Sequence, residues 1–93
     1  SGAKMGTEIT LVFYETEEIG KGPVLHTHPY TETFIVIEGY GRYQVGDQVI
    51  DAKAGDVLIG PPDVPHRFSN LGPGRLRTVD IHHSPDWIQK DLE

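Results

Sequence analysis

The sequence predicts a single all-β domain, and two observations support this prediction. Eleven glycines and seven prolines interrupt the chain, at intervals of about 8–12 residues that are typical of short strands joined by turns. Between them lie runs rich in Val, Ile, Thr, Tyr and Phe, the residue types that favour β-strands. With 93 residues, the chain suffices for one small hydrophobic core, and we expect one domain over residues 1–93.

Each strand prediction rests on one of these runs. Seven segments show the pattern: TEITLVFYE (7–15), GPVLHTH (22–28), TETFIVIEG (31–39), GRYQVGDQVIDA (41–52), GDVLIGP (55–61), PHRFSN (65–70) and RLRTVDIHH (75–83). Within the fourth segment, Gly46-Asp47 predicts a tight hairpin turn between two strands. The order of short strands and turns favours a β-sandwich or a β-barrel.

The last ten residues, SPDWIQKDLE, depart from the strand pattern. Ser84 suits the N-cap of a helix, Pro85 suits its first position, and Asp86 would lie near its positive end. The buried face of this helix would consist of three apolar residues, Trp87, Ile88 and Leu92. We therefore predict a short C-terminal helix over residues 84–92.

Composition excludes several classes of function. The chain has no cysteine, which excludes disulfides, thiolate metal sites and thiol nucleophiles. Its 14 acidic and 8 basic residues leave a net charge of −6, and the basic residues are scattered, so we expect neither nucleic acid nor an anionic membrane as a partner. No apolar run is long enough to span a bilayer. Residues 1–4, before Met5, resemble an expression remnant, and we expect a cytoplasmic protein because no leader is visible.

The strand from Phe34 to Ile37 is apolar on both faces, whereas a half-solvated strand would alternate. If Glu32 and Phe34 face inward, then Ile35 and Ile37 face outward and need cover. We expect a second subunit to provide it, in a homodimer. The alternative is cover from within the chain, by its N-terminal strand and its C-terminal helix.

Three polar side chains near the second predicted strand indicate a metal site. His26 and His28 project to the same side of an extended strand. Pro29 ends regular pairing of that strand because it lacks an amide donor, and Glu32 opens the next strand after a turn. Two imidazoles and one carboxylate suit Fe(II), Mn(II), Ni(II), Zn(II) or Cu(II) and leave open positions for a substrate. On a barrel, His66 could reach the same point from a neighbouring strand.

These residues resemble the two sequence motifs of the cupin superfamily. The first motif, G-x5-H-x-H-x3-E-x6-G, is matched at every specified position, by Gly20, His26, His28, Glu32 and Gly39. The second, G-x5-P-x-G-x2-H-x3-N, is matched by Gly55, Pro61, His66 and Asn70. Asp63 stands where the family usually has glycine, and aspartate tolerates the positive φ of such a turn better than most residues do.

The resemblance implies a small cupin barrel of the double-stranded β-helix type, with one divalent transition metal bound per chain. In that family the two histidines and the glutamate of the first motif and the histidine of the second are the metal ligands, which here are His26, His28, Glu32 and His66. We favour Fe or Mn and keep Ni, Zn and Cu as alternatives. Three neutral imidazoles and one carboxylate leave a divalent site with a net positive charge, which would attract an anionic or chelating small molecule.

Four other polar residues lie close to the motifs or on the last predicted strand: Tyr30, Arg67, His82 and His83. Tyr30 is a candidate catalytic residue that could donate a proton to a substrate, or else a turn aromatic at the rim of the barrel. Arg67 follows His66 and should face away from it. His82 and His83 are adjacent and should face opposite sides of a strand, so we expect structural roles for them.

The resemblance does not select one activity, because the cupin fold hosts many chemistries. We favour a metal-dependent enzyme of oxygenase type, since mixed histidine and carboxylate ligation with open positions suits redox-active iron. The alternatives are a Lewis-acid isomerase or lyase of sugar-like acids, and a cupin that binds or senses a small molecule without turnover. No clear general base is visible beyond the ligands, which is the main weakness of the enzyme hypotheses.

Overall fold

The computed structural model describes residues 8–93, and this part of the chain contains nine β-strands. The strands are β1 (Thr10–Thr16), β2 (His26–Thr27), β3 (Glu32–Glu38), β4 (Tyr40–Val45), β5 (Gln48–Lys53), β6 (Val57–Gly60), β7 (His66–Asn70), β8 (Leu76–His82) and β9 (Lys90–Asp91). Every segment predicted to form strand does so. The all-β prediction is therefore confirmed for the described chain.

The strands form two antiparallel sheets that face each other. One sheet has the order β1-β8-β3-β6, and the other has the order β5-β4-β7-β2-β9. We predicted a barrel, but hydrogen bonding does not close the two sheets into one. The structure is a sandwich of two sheets, with the double-stranded β-helix arrangement that the motifs implied.

The hydrophobic core lies between the sheets. It consists of seven buried side chains, Phe34, Val36, Tyr43, Ala52, Leu58, Phe68 and Leu76. Aromatic rings from both sheets meet there, since Tyr43 of β4 lies 5.3 Å from Phe34 of β3 and 5.0 Å from Phe68 of β7, centroid to centroid. This core occupies one end of the sandwich and leaves the other end to polar side chains.

The motif residues outside the ligand set shape turns. Gly39 has a φ of +85°, and a Cβ there would lie 2.1 Å from the carbonyl oxygen of Arg75, so only glycine fits. Asp63 has a φ of +61°, as its replacement of a turn glycine predicted, and its amide donates to the carbonyl of His28 at 2.7 Å. Asn70 is buried, and its side-chain amide stabilises the following turn: it donates to the Gly74 carbonyl and accepts from the Gly72 amide.

The predicted C-terminal helix over residues 84–92 is wrong. Ser84 accepts a hydrogen bond from the amide of Asp86 at 3.1 Å, but the turn does not continue. Lys90–Asp91 instead forms β9 on the edge of β2, and the Leu92 amide donates to the Leu25 carbonyl at 2.8 Å. Backbone pairing with a short edge strand has overridden a local helix preference, which is a weak determinant of structure.

The outer face of the first sheet is apolar and lies open in the described chain. Ile37 is 48% exposed and Phe13 of β1 is 75% exposed. The alternative of cover from within the chain is wrong for residues 8–93, because β1 pairs edge to edge with β8 and the C-terminal segment joins the other sheet. The proposed remnant, residues 1–4, lies outside the described residues. Nowhere between residues 8 and 93 is there a helix with the length and apolar character needed to cross a membrane.

Candidate metal centre

The four predicted ligands converge at the polar end of the sandwich. His26, His28, Glu32 and His66 are all buried, and one potential ligand atom from each lies within 4.8 Å of the others. They come from three elements, since β2 with the turn after it supplies two imidazoles, β3 supplies the carboxylate and β7 supplies the last imidazole. The structure thus brings together the whole ligand set implied by the two motifs.

Strand pairing explains this convergence. His26 of β2 pairs directly with His66 of β7, which places their side chains next to each other on the inner face. The rings of His26 and His66 have a centroid separation of 4.4 Å, and those of His26 and His28 one of 4.8 Å. Glu32 is the first residue of β3, in the facing sheet, so its carboxylate approaches the imidazoles from the opposite side.

Each ligand histidine is oriented by a backbone carbonyl. The Nδ1 atom of His26 lies 2.5 Å from the Val24 carbonyl oxygen, and that of His66 lies 3.2 Å from the Val64 carbonyl oxygen. The Nδ1 atom of His28 lies 2.7 Å from the carbonyl oxygen of Ile88, in the C-terminal segment. A carbonyl can only accept, so Nδ1 carries the proton and Nε2 presents a lone pair to the interior. Metal-bound histidines are commonly held in this way.

The resulting cluster suits a cation. His28 Nε2 and His66 Nε2 lie 3.0 and 3.1 Å from Glu32 Oε1. His28 Nε2 is nevertheless buried without a hydrogen bond of acceptable geometry. Lone pairs of imidazole nitrogens and a carboxylate therefore face one another, an arrangement that is unfavourable unless protons or a metal ion lie between them. The donor set and the unpaired nitrogen both fit a divalent transition metal.

The pKa values of the cluster show how strongly its members interact. Burial alone would raise the pKa of Glu32, but contacts with His28, His66 and His82 outweigh it and hold that pKa far below its ordinary value. Burial alone would lower the pKa of His28, but the adjacent Glu32 carboxylate raises it overall. For His26 burial prevails and the pKa is lowered. Glu32 is therefore an anion at neutral pH, as a metal ligand must be.

A fourth histidine, which the sequence analysis treated as structural, lies beside the cluster. His82 of β8 pairs with Glu32 of β3, and its Nε2 lies 3.4 Å from Glu32 Oε2. Its Nδ1 lies 2.7 Å from the hydroxyl of Tyr30, and the ring of Trp87 packs on it with a centroid distance of 4.6 Å. His82 and Asp80 are two residues apart on β8 and therefore face the same side of the strand. This spacing was the sequence signal that could have placed His82 beside the cluster.

Tyr30 is buried rather than exposed at a rim. Its side chain is 9% exposed and stacks on His28 with a centroid distance of 4.9 Å. Its hydroxyl also accepts a hydrogen bond from the amide of Ile88 at 3.3 Å. Tyr30 therefore connects β8, the ligand turn and the C-terminal segment.

The remaining sequence predictions concern side chains that face outward. Arg67 points away from His66, as predicted, and pairs with Glu93 at 2.8 Å. His83 lies on the opposite side of the chain from His82, and its Nε2 is 2.9 Å from the Thr33 hydroxyl. Neither residue contributes to the cluster.

A cavity of about 170 Å³ adjoins the cluster between the sheets. Its walls include His26, Glu32, His82, Asp80, Phe68 and Trp87. Three larger hollows, of about 530, 430 and 340 Å³, share no lining residue with the ligand set. The smaller cavity has two predicted ligands, His26 and Glu32, in its wall, so it is the candidate site for a small molecule.

Asp80 is the polar residue of this cavity that the sequence analysis could not assign. Its side chain is 3% exposed; Oδ2 accepts a hydrogen bond from the Thr78 hydroxyl at 3.2 Å, while Oδ1 has no partner among the described residues. Burial, and then the negative charge of Glu32, raise the pKa of Asp80 to about 7. The missing candidate for a general base is thus present on β8.

Comparison with known proteins agrees with the fold and the motifs. The family model described as Cupin domain matches residues 13–82. An uncharacterised protein of Methanocaldococcus jannaschii is 30% identical over 77 residues, which cover 81% of this chain and 60% of that protein. The chain spans between 39 and 60% of the lengths of the curated relatives it matches.

Solved structures give the same result. A double-stranded β-helix protein of Klebsiella pneumoniae superposes with a TM-score of 0.82 at 26% identity, covering 92% of this chain and 76% of its own. Oxalate decarboxylase of Bacillus subtilis, described with Mn(II) centres, superposes with a TM-score of 0.87 at 25% identity, covering 96% of this chain and 25% of its own. The similarity thus extends over almost the whole chain.

Proposed function

This chain belongs to the cupin family, and from that premise we propose that it is a metal-dependent enzyme acting on a small molecule in the inner cavity. The observation that supports this most directly is the convergence of four buried ligand atoms in one cluster, of which His26 and Glu32 also line that cavity. His26, His28, Glu32 and His66 would hold one divalent metal, with Fe or Mn favoured. When bound, the metal would supply a Lewis acid or a centre for O₂ chemistry.

Elemental analysis tests the ligand assignment. Protein purified without chelator should contain about one first-row metal ion per chain, in keeping with a single site of four protein ligands. In the His26→Ala and His66→Ala variants, the metal content should fall well below one ion per chain. His83→Ala is the matched control, because His83 lies outside the cluster and contacts Thr33 instead. Unchanged metal content in both ligand variants would contradict the assignment.

For the reaction, we favour an oxygenase-type conversion of a small chelating acid. Mixed ligation by imidazoles and a carboxylate suits redox-active iron, and coordination by four protein groups leaves positions for substrate and O₂. The apolar part of the cavity wall, from Phe68 and Trp87, would keep water from reactive species. The protein's part is to orient the small molecule and to limit its size to the cavity.

A Lewis-acid lyase or isomerase is the second candidate, and Asp80 favours it. Such reactions require a group that moves a proton, and Asp80 lines the same cavity as Glu32 with a pKa raised to about 7 by burial and by that carboxylate. The similarity to manganese-containing oxalate decarboxylases supports the same class.

Oxygen dependence separates these candidates. The Fe(II)-loaded and Mn(II)-loaded protein would be incubated with catechols, diketones, uronic acids and small dicarboxylic acids, with and without O₂. Consumption of O₂ in step with substrate supports the oxygenase, whereas anaerobic turnover supports the lyase or isomerase. Binding without turnover under every metal would leave only the non-catalytic alternative, a cupin that binds or senses a small molecule.

Tyr30 was predicted as a catalytic residue, and we propose that it acts through His82. Its hydroxyl lies 2.7 Å from His82 Nδ1, and His82 in turn lines the cavity and lies 3.4 Å from Glu32 Oε2. Tyr30 would therefore set the ring orientation of His82 rather than touch the small molecule. Tyr30→Phe should lower kcat and leave metal content unchanged, which a general structural defect would not do.

We also propose that the protein is a homodimer in which the partner covers the outer face of the first sheet. We call this surface the outer apolar face; it consists of Leu11, Phe13, Ile35, Ile37, Val57, Ile59, Val79 and Ile81. One row crosses all four strands, because Phe13 pairs with Val79, Val79 with Ile35 and Ile35 with Val57.

The size of the outer apolar face fits a second copy. Three strands of seven residues and one of four, about 4.8 Å apart and rising about 3.3 Å per residue, span roughly 400 Å². Two such faces bury roughly 800 Å², and the rim would supply the remainder of the roughly 1,000 Å² expected of a specific interface. Charged groups lie at one end of the face, where Arg77 contacts Glu15 and Glu38, and not in its centre.

Sedimentation velocity at micromolar concentration tests the dimer. The protein should sediment as a dimer, and Phe13→Glu should convert it to a monomer because the substitution puts two charges into the interface. Val49→Glu is the matched control, since Val49 is 65% exposed but lies on β5 of the other sheet. A monomeric unmodified protein would contradict the proposal, and cover by another domain of a longer chain would be one explanation of that result.

A further inference from the structure

Asp80 carries an inference beyond metal binding, because its environment has no structural explanation. The residue lies in the middle of β8, between Val12 of β1 and Phe34 of β3. Its Oδ1 atom is buried without a hydrogen-bond partner in the described part of the chain. A carboxyl oxygen that is buried without a hydrogen-bond partner is destabilising. An apolar residue at this position would have been the stable choice for a core strand.

The groups around Asp80 leave its free oxygen to the cavity. On its own strand, Thr78 pairs with the other oxygen, and His82 follows two residues later. Tyr14 on β1, Glu32 on β3 and His26 on β2 line the same cavity, as does His82. The Tyr43 hydroxyl on β4, itself buried without a hydrogen-bond partner among the described residues, interacts electrostatically with Asp80. The only charge identified as acting on it is the negative charge of Glu32.

Asp80 and the metal cluster share one small space. The same cavity of about 170 Å³ has His26 and Glu32 in one part of its wall and Asp80 in another. Since a water molecule takes about 30 Å³, the cavity holds a molecule of roughly six non-hydrogen atoms. A molecule of this size that binds at the cluster by one end would reach Asp80 with the other.

We infer that Asp80 Oδ1 contacts the far end of the bound small molecule and exchanges a proton with it. The inference rests on the proposed function, since it assumes that the near end binds at the metal cluster. It also narrows the substrate class to short carboxylic acids that carry, on the carbon next to the acid group, either a hydroxyl group or a keto group with an enolisable C–H bond beyond it. The carboxylate end suits the positively charged metal centre, and the hydroxyl or C–H end supplies the proton that Oδ1 accepts.

The step balances without an added oxidant or reductant. With pyruvate as the probe, a methyl C–H bond breaks, its electron pair forms the enolate, and the proton bonds to Asp80 Oδ1. The reverse transfer returns a hydron to carbon. In D₂O the carboxyl group exchanges its proton for a deuteron, so the product is pyruvate with CH₂D in place of CH₃. In the metal-free protein, burial and the charge of Glu32 raise the pKa of Asp80 to about 7, and a carboxyl group with a raised pKa can both accept and return a proton near neutral pH.

Deuterium exchange into pyruvate, followed by ¹H NMR, tests the inference on the Zn(II)-loaded protein. The unmodified protein should accelerate the exchange, and Asp80→Asn should reduce the rate by about 100-fold or more, because an amide accepts a hydrogen bond but no proton. Asp47→Asn is the matched control, since Asp47 is exposed in the β4–β5 turn. Metal content of all three proteins is measured alongside. Equal exchange by the unmodified protein and the Asp80→Asn variant would overturn the inference.

A second measurement does not depend on turnover. The ¹³C resonance of the Asp80 carboxyl group, assigned by its loss in Asp80→Asn, should shift when saturating pyruvate or glycolate binds to the Zn(II)-loaded protein. Failure of both acids to shift it, in a protein that holds one metal per chain, would overturn the inference and leave the metal site intact. Failure of the unmodified protein to hold metal would instead overturn the proposed function.

Discussion

The cavity has two walls, and the chain builds them in different ways. We call the metal cluster the ligand wall; His26 and Glu32 line the cavity, and His28 and His66 complete the cluster. His26, His28 and Glu32 lie within seven consecutive residues, and His66 pairs with His26. The opposite wall contains Asp80, His82 and Trp87, which come from β8 and the segment after it. On the ligand wall two of the three imidazoles are held by carbonyls two residues before them in sequence. On the opposite wall, Asp80 contacts Thr78 two residues before it, but His82 contacts Tyr30 and Glu32, which are distant in sequence.

Short-range contacts orient His26 and His66, whereas His28 relies on the distant Ile88 carbonyl and His66 reaches the cluster only through β2–β7 pairing. The opposite wall depends on strand register and on a C-terminal segment with few buried side chains; Trp87 itself is 52% exposed. Substitutions in the two walls should therefore have different effects.

The largest effect is expected from Glu32→Gln in the ligand wall. The substitution removes the anion that the three imidazoles surround, so metal content should fall from about one ion per chain to a small fraction. Glu38→Gln is the control at the other end of β3, where the side chain contacts Arg75 and Arg77 on the surface. Full metal content in Glu32→Gln would show that the carboxylate is not a ligand.

On the opposite wall, Asp80→Asn should change the pH dependence of stability in the metal-free protein. The pKa of Asp80 is raised from 3.8 to about 7 by burial, so the native state holds more protons than the unfolded state between these values. Stability should therefore fall as pH rises through that window, by about 1.4 kcal/mol per pH unit at most. Between pH 5 and pH 7 we expect the unmodified protein to lose about 2 kcal/mol more than Asp80→Asn does.

Chemical denaturation at pH 5, 6, 7 and 8 measures this difference. The other titratable groups are common to both proteins, so the difference between the two curves reports on Asp80. Parallel stability curves for the two proteins would show that Asp80 is ionised in the folded state well below pH 7.

Deletion of residues 88–93, in the C-terminal segment, should weaken metal binding at the ligand wall. The deletion removes the Ile88 carbonyl that accepts from His28 Nδ1 at 2.7 Å, and with it the restraint on that ring. Loss of such an outer contact typically weakens metal binding by about 10- to 100-fold. A competition assay with a chromogenic chelator would measure it. Glu93→Gln is the control, because it breaks the surface contact with Arg67 and keeps Ile88.

The smallest effect is expected from Tyr30→Phe. The substitution keeps the ring that stacks on His28 and removes the hydroxyl that contacts His82 and the Ile88 amide. Loss of a hydrogen-bonded group typically costs about 0.5–1.5 kcal/mol, which a thermal melt would detect as a modest decrease in Tm. A decrease larger than that caused by the C-terminal deletion would mean that the two walls are more tightly coupled than the contacts indicate.

Much of the ligand wall could be predicted from the sequence because it depends on parity and on short spacing. Residues two apart on a strand share a face, which placed His26 with His28 and turned Arg67 away from His66. Asp63 was predicted to tolerate a positive φ, and it adopts one of +61°. These predictions needed no knowledge of which strands pair.

The opposite wall could not be predicted because it depends on pairing between distant segments. Asp80 and His82 share a parity along β8, but the sequence did not indicate which face of that strand is buried. The residues from Ser84 onward carry good helix-start signals, yet they extend along β2, where their backbone groups find partners. Local preferences are worth tenths of a kcal/mol per residue, so a few tertiary hydrogen bonds override them.

By itself, the sequence determined the strand segments, the inward parity of the first-motif ligands and the chemistry that two imidazoles and a carboxylate can support. The tertiary structure alone decided that His66 meets them through β2–β7 pairing, that His82 and Asp80 face the same cavity and that the C-terminal segment orients His28. The physical reason is range: parity and turn preference act over a few residues, whereas register, burial and the cavity exist only once the two sheets have packed.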